Sequence, residues 1–132
     1  MIETSKLKLY LVTDPHLCAS FGLLNTVNAA IKGGITMVQL RDKEASTRER
    51  VEIGRALKKI LNDSEIPLII NDDIEAAVAI DADGIHVGQS DENTIAIRSK
   101  IGKEKGKTKL IICIVSMIVI SMIIASLFLD NS

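Results

Sequence analysis

Between Pro67 and Asp91 the chain reads PLIINDDIEAAVAIDADGIHVGQSD. Two short apolar runs, Leu68 to Ile70 and Ile85 to Val87, flank a segment from Ile74 to Ile80 that suits a short helix. Each run stops at polar side chains: Asn71 and Asp72 after the first, Gln89 and Asp91 after the second. Continuous apolar runs of this length suit strands buried on both faces, as in a parallel sheet covered by helices. Carboxylates at the ends of such runs add little to a core. They do place metal or phosphate ligands along one rim of a parallel sheet.

The upstream sequence repeats the plan. Leu7 to Thr13 is an apolar run closed by Asp14 and Pro15, and Phe21 to Lys32 carries a helical stripe of Leu24, Val27 and Ile31 before Gly33-Gly34. Ile35 to Leu40 forms a second β-rich run, ending at Arg41-Asp42-Lys43. Ser46 and Glu49 have the spacing of a capping box. The helix they open places Ile53, Leu57, Ile60 and Leu61 on one face. Asp73 is placed to cap the Ile74–Ile80 segment, Ala82-Asp83-Gly84 reads as a turn, and Asn93 to Ile101 suits a fourth helix.

Four β-α units joined by short connections imply a parallel sheet with helical crossovers. An open doubly wound sheet gathers its ligands at one switch point, whereas a barrel builds its site from several strand ends around one mouth. Here Asp14, Arg41 with Lys43, Asn71 with Asp72, and Gln89 with Asp91 follow four successive strands. No GxGxxG or GxxxxGK[ST] pattern supports a dinucleotide or P-loop site. The pattern therefore favours a TIM-barrel type of α/β fold.

Composition narrows the function. At 132 residues there is room for one modest domain. A net charge of −1 leaves no basic footprint for nucleic acid, and two phenylalanines, one tyrosine and no tryptophan offer few platforms for stacking bases. Cys18 and Cys113 lie far apart without a CxxC, and Met1 to Lys8 has no apolar signal core; together these point to reduced thiols in a cytoplasmic protein.

Gln39, Arg41 and Lys43 are spaced by two, which in an extended segment puts all three on one face. An amide, a guanidinium and an ammonium projecting together suit a diphosphate; a solvated charged loop is the plainer alternative. Asp72 and Asp91 end consecutive strands, and adjacent parallel strands lie ~4.8 Å apart, so both carboxylates can converge on one cation. Magnesium takes one or two protein carboxylates and fills its octahedron with water and phosphate oxygens. Against this, Asp72 or Asp73 and Asp91 could serve only as helix caps. His16 and His86 have no second His or Cys at ligand spacing and read as structural.

LYLVTD (Leu9 to Asp14), VQLRDK (Val38 to Lys43), PLIIND (Pro67 to Asp72) and ADGIHVGQSD (Ala82 to Asp91) together resemble the N-terminal half of thiamine phosphate synthase, over about Leu7 to Gly102. The resemblance implies a (β/α)8 TIM barrel, here about four βα units plus an apolar C-terminal segment. It implies transfer of a hydroxymethylpyrimidine group from its diphosphate to a thiazole phosphate, with release of diphosphate. It assigns Gln39, Arg41, Lys43 and Asn71 to the pyrimidine diphosphate, and Asp72 and Asp91 to Mg2+. No protein nucleophile is implied. A related branch, the TenI-type thiazole tautomerases, shares the fold. Retention of the Gln-x-Arg-x-Lys trio and both aspartates favours the synthase over that branch.

After Gly102 the family pattern is no longer recognisable. Lys103 to Lys109 is a lysine-rich linker, and Leu110 to Leu129 contains no charged residue, although KLIICIV could begin a fifth strand. The tail is open to three readings: a frame-altered or truncated gene, a membrane span of ~20 apolar residues with the basic linker on the cytoplasmic side, or a half-barrel completed by a second chain. Four βα units alone form an open half-barrel, which is expected to self-associate and to have impaired synthase activity. A diphosphate-binding remnant without catalysis, tethered to a membrane or soluble, is the alternative function.

Overall fold

The computed structural model describes residues 4–88, 96, 97, 99 and 110–113. After a 3-10 turn at Thr4–Leu7, strands β1 (Tyr10–Val12), β2 (Met37–Leu40), β3 (Leu68–Asn71), β4 (Gly84–Val87) and β5 (Leu110–Cys113) form one sheet in the order β1-β2-β3-β4-β5. Every neighbouring pair is parallel. Helices α1 (Pro15–Cys18), α2 (Leu23–Lys32), α3 (Thr47–Asn62) and α4 (Ile74–Ile80) fill the first three crossovers. A sheet whose strands lie in sequence order is wound in one direction only, as in a barrel; a doubly wound sheet reverses at a switch point. The structure thus decides between the two architectures that the alternation allows, in favour of the barrel type.

The helix-facing side of the sheet is apolar. Leu11, Val38, Leu40, Leu68, Ile70 and Ile85 pack there against Val27, Leu57, Leu61, Ala76, Ala77 and Ile80. Gly54 of α3 permits the α3–α4 approach: a Cβ there would lie 2.3 Å from Ile80 Cδ1. The Ser46–Glu49 capping box is present, with Ser46 Oγ accepting from Glu49 N and the Glu49 carboxylate accepting from Ser46 N. Asp73 caps α4, accepting from Ala76 N.

Some boundaries differ from the sequence expectation. The first strand begins at Tyr10 rather than Leu7, and the second at Met37 rather than Ile35. Both starts are anchored by Thr36, whose hydroxyl accepts from Leu9 N and donates to Lys6 O. In α2 the buried side is Thr26 and Val27, with Leu23 and Ile31 beside it, whereas Leu24 is 40% exposed. Gly84 opens β4 rather than making the turn; the left-handed residue there is Asp81, at φ 55°. α1 is not evident from the sequence, being four residues held by Asp14 Oδ1, which accepts from His16 N and Leu17 N.

Candidate functional site

The rim is assembled from the C-terminal ends of β1, β2 and β3. Thr13, directly after β1, donates its backbone N–H to Gln39 O at 2.9 Å, and its buried hydroxyl accepts from Arg41 N at 3.1 Å. The first two strand ends are thereby fixed to each other. At the end of β3, Asp72 adopts a left-handed conformation (φ 57°) while its N–H donates to His86 O at 2.8 Å. A non-glycine residue at positive φ is uncommon, Asp and Asn being the side chains that tolerate it best. Asp73, one residue on, is the helix cap. The Asp72 carboxylate is exposed and takes no hydrogen bond or ion pair from any described residue. The capping alternative therefore accounts for Asp73 but leaves Asp72 unexplained.

Asn71, Asp72, Asp73, Lys43 and Arg50 line one open cavity of about 580 Å3. A lysine, an amide and an uncommitted carboxylate around such a volume suit a phosphate with an attendant cation. Among the described residues no group of three or more His, Cys, Asp or Glu is arranged to hold a metal. The second carboxylate expected for a cation, Asp91, lies outside the described residues, as does Gln89.

The Gln39-Arg41-Lys43 trio does not share one face. β2 ends at Leu40, so the period-two geometry lapses before Lys43 is reached. Asp42 turns the chain, its Oδ1 accepting from Glu44 N and Ala45 N. Lys43 is exposed on the cavity, and Arg41 lies toward Asp14, with Nη1 3.9 Å from Oδ2. Gln39 is fully buried. A buried amide must find partners, and Gln39 finds them inside the sheet: Nε2 donates to Tyr10 Oη at 2.7 Å, while Oε1 lies 3.1 Å from His86 Nδ1.

His86 is the residue that sequence spacing hides. It is 3% exposed, and its Nδ1 also lies 3.3 Å from Asn71 Nδ2. A protonated Nδ1 donating to Gln39 Oε1 completes a chain from β4 through β2 to the Tyr10 hydroxyl on β1. One ring nitrogen cannot also accept from Asn71 in that state. Burial holds the His86 pKa below its ordinary value; the Asp72 carboxylate raises it and the Arg41 guanidinium lowers it further. Burial thus favours the neutral ring. Burial also pushes the Tyr10 phenol up to about 12, against the lowering effect of its bond from Gln39. Among the described residues, His86 Nε2 and Arg41 Nε are buried with no hydrogen-bond partner. Four of the expected site residues, Gln39, Arg41, Asn71 and Asp72, thus converge on His86 by contact or by charge. The only signal in the sequence was that His86 sits one pleat from the end of its strand.

The sequence profile described as thiamine monophosphate synthase matches residues 9–106. The chain belongs to this family. It is 56% identical over 99 residues to a thiamine-phosphate synthase from Xanthobacter autotrophicus, covering 75% of this chain and 47% of that protein. It is 52% identical over 98 residues to one from Clostridium acetobutylicum, covering 74% of this chain and 46% of that protein. Among solved structures it is similar to the thiamine phosphate pyrophosphorylase from Pyrococcus furiosus. That match has a TM-score of 0.67 at 34% identity, covering 74% of this chain and 46% of the other. The chain spans about half the length of the curated relatives it matches. Family and fold agree with the resemblance read from the four separated motifs. No helix among the described residues is long and apolar enough to cross a membrane; residues 114–129 of the apolar segment lie outside them.

Proposed function

We propose that this chain carries the pyrimidine-diphosphate side of a thiamine-phosphate synthase site. The observation that carries the reading is the shared cavity of Lys43, Asn71 and Asp72, in which the Asp72 carboxylate takes no hydrogen bond or ion pair from the described residues. In this reading Lys43 meets a terminal phosphate as a point charge, Asn71 offers its amide, and Arg41 supplies a second positive charge from the β2 end. Gln39, being buried, acts from beneath, either on the pyrimidine or by fixing His86. Asp72, with Asp91, would hold Mg2+, which when bound offsets charge on the diphosphate oxygens.

The transfer that fits these groups is dissociative. The bond between the pyrimidine methylene carbon and the diphosphate oxygen breaks, and its electron pair leaves with diphosphate. The thiazole nitrogen then forms the new bond to the methylene carbon with its lone pair. Catalysis by Lys43 and Arg41 is electrostatic, acting on charge that grows as diphosphate departs. No described side chain needs to act as a nucleophile. Water-soluble phosphorylated substrates and the reduced, buried Cys18 accord with a cytoplasmic setting.

Calorimetry with hydroxymethylpyrimidine diphosphate, with and without Mg2+, tests the binding reading. Saturable binding that strengthens with Mg2+ is expected, and no binding in either condition would refute it. Adding the thiazole phosphate and following thiamine phosphate formation separates a working synthase from a binding module or a tautomerase-like relative.

A further inference from the structure

Arg50, on the second turn of α3, is a buried-side guanidinium that neither the motifs nor the proposed chemistry uses. Its Nε donates to Asp42 O at 2.9 Å, and its Nη1 donates to Asp73 Oδ2 at 2.9 Å. The two ends of this fork lie next to different ligands. Asp42 is the residue between Arg41 and Lys43, and Asp73 directly follows Asp72.

We propose that Arg50 is a positioning residue, which sets the spacing between Lys43 and Asp72 by tying the β2–α3 loop to the end of β3. The inference rests on the diphosphate reading of that cavity and adds to it the means by which the cavity keeps its shape. Both partners are themselves anchored. Asp42 Oδ1 holds Glu44 N and Ala45 N; Asp73 accepts from Thr47 Oγ1 at 2.8 Å and from Ala76 N. Asp73 N also donates to Asn71 O at 2.7 Å, so fixing Asp73 fixes the left-handed Asp72 between two constrained neighbours. The side chains of Arg50 and Asp73 are only 17% and 9% exposed, so water competes poorly for either bond. A rigid planar fork can serve a carbonyl and a carboxylate in different directions at once; an ammonium on a flexible stem can neutralise Asp73 but does not reproduce both bonds in this geometry.

The test compares the unsubstituted chain with Arg50→Lys and Arg50→Met by amide hydrogen exchange and by inorganic pyrophosphate affinity in Mg2+. A positioning role predicts that the Glu44 and Ala45 amides exchange about tenfold faster in both variants, with β2 and β3 amides unchanged. It also predicts pyrophosphate binding about tenfold weaker in both, the loss expected when ligands are misplaced by a fraction of an ångström to an ångström. Arg50→Lys preserves charge and is the milder change, so it remains informative if Arg50→Met fails to fold. Full rescue by lysine, unchanged loop exchange, or unchanged pyrophosphate affinity despite faster exchange would each overturn the proposal. If the unsubstituted chain binds no pyrophosphate, the diphosphate reading falls, while the exchange of Glu44 and Ala45 in Arg50→Lys still decides whether the fork holds the loop.

Discussion

The two sides of the sheet handle burial in opposite ways. Toward the helices, Val38, Leu40, Leu68, Ile70 and Ile85 meet other apolar side chains, and close packing is all that is required of them. On the alternate positions of the same strands lie Tyr10, Gln39, Asn71 and His86, where each buried polar atom needs a partner. An unpaired polar group in such a place costs more than a hydrogen bond returns, so a side chain like His86 needs a reason to be there. The helix side explains why the chain folds. The polar side, where among the described residues His86 Nε2 has no hydrogen-bond partner and the Asp72 carboxylate takes no hydrogen bond or ion pair, holds the groups on which the proposed function rests.

The largest expected effect is on the apolar side. Leu57 is fully buried in the core, and Leu57→Ala should cost ~2–5 kcal/mol in urea unfolding, through lost transfer energy and a residual cavity. On the polar side, His86→Leu keeps bulk but leaves Gln39 Oε1 without its donor, so a cost of ~1–3 kcal/mol is expected. A cost near zero would mean that the polar chain is not fully desolvated and would dissolve the contrast between the two faces.

Tyr10→Phe should cost less, ~1 kcal/mol, and its effect should depend on pH. The folded pKa of Tyr10 is raised to about 12, above the ordinary value of 10.0. Between these values the unfolded chain has released a proton that the folded chain retains. Stability supported by the neutral phenol is therefore complete below pH 10 and falls as pH rises toward 12. Urea midpoints at pH 9 and pH 11 should differ less in Tyr10→Phe than in the unsubstituted chain.

Much of this was legible from local pattern. The Ser46 capping box, the Asp73 cap and the strand–helix alternation are short-range signals, set by neighbours within one helical turn. The barrel type was legible as well, because polar residues follow strand after strand rather than gathering at one crossing. What the sequence hid depends on contacts between strands. Gln39 and His86 meet only because β3 separates β2 from β4 in a fixed register, and no spacing along the chain encodes that meeting. The spacing of Gln39, Arg41 and Lys43 puts them on one face only if the strand continues; it ends at Leu40, and the Asp42 turn sends Lys43 elsewhere. Arg50 belongs to none of the four motifs and lies off the apolar stripe of Ile53, Leu57, Ile60 and Leu61. Its role is visible only once Asp42 and Asp73 are seen to flank it.

The smallest effect on stability should accompany the largest effect on binding. Asp72→Asn keeps a side chain that tolerates φ 57° and removes only the charge, so unfolding should change by less than ~0.5 kcal/mol. The direct measurement is calorimetric titration of hydroxymethylpyrimidine diphosphate into this variant and into the unsubstituted chain, each with and without Mg2+. Mg2+ is expected to strengthen binding only when Asp72 carries its carboxylate. An equal Mg2+ enhancement in Asp72→Asn would contradict it.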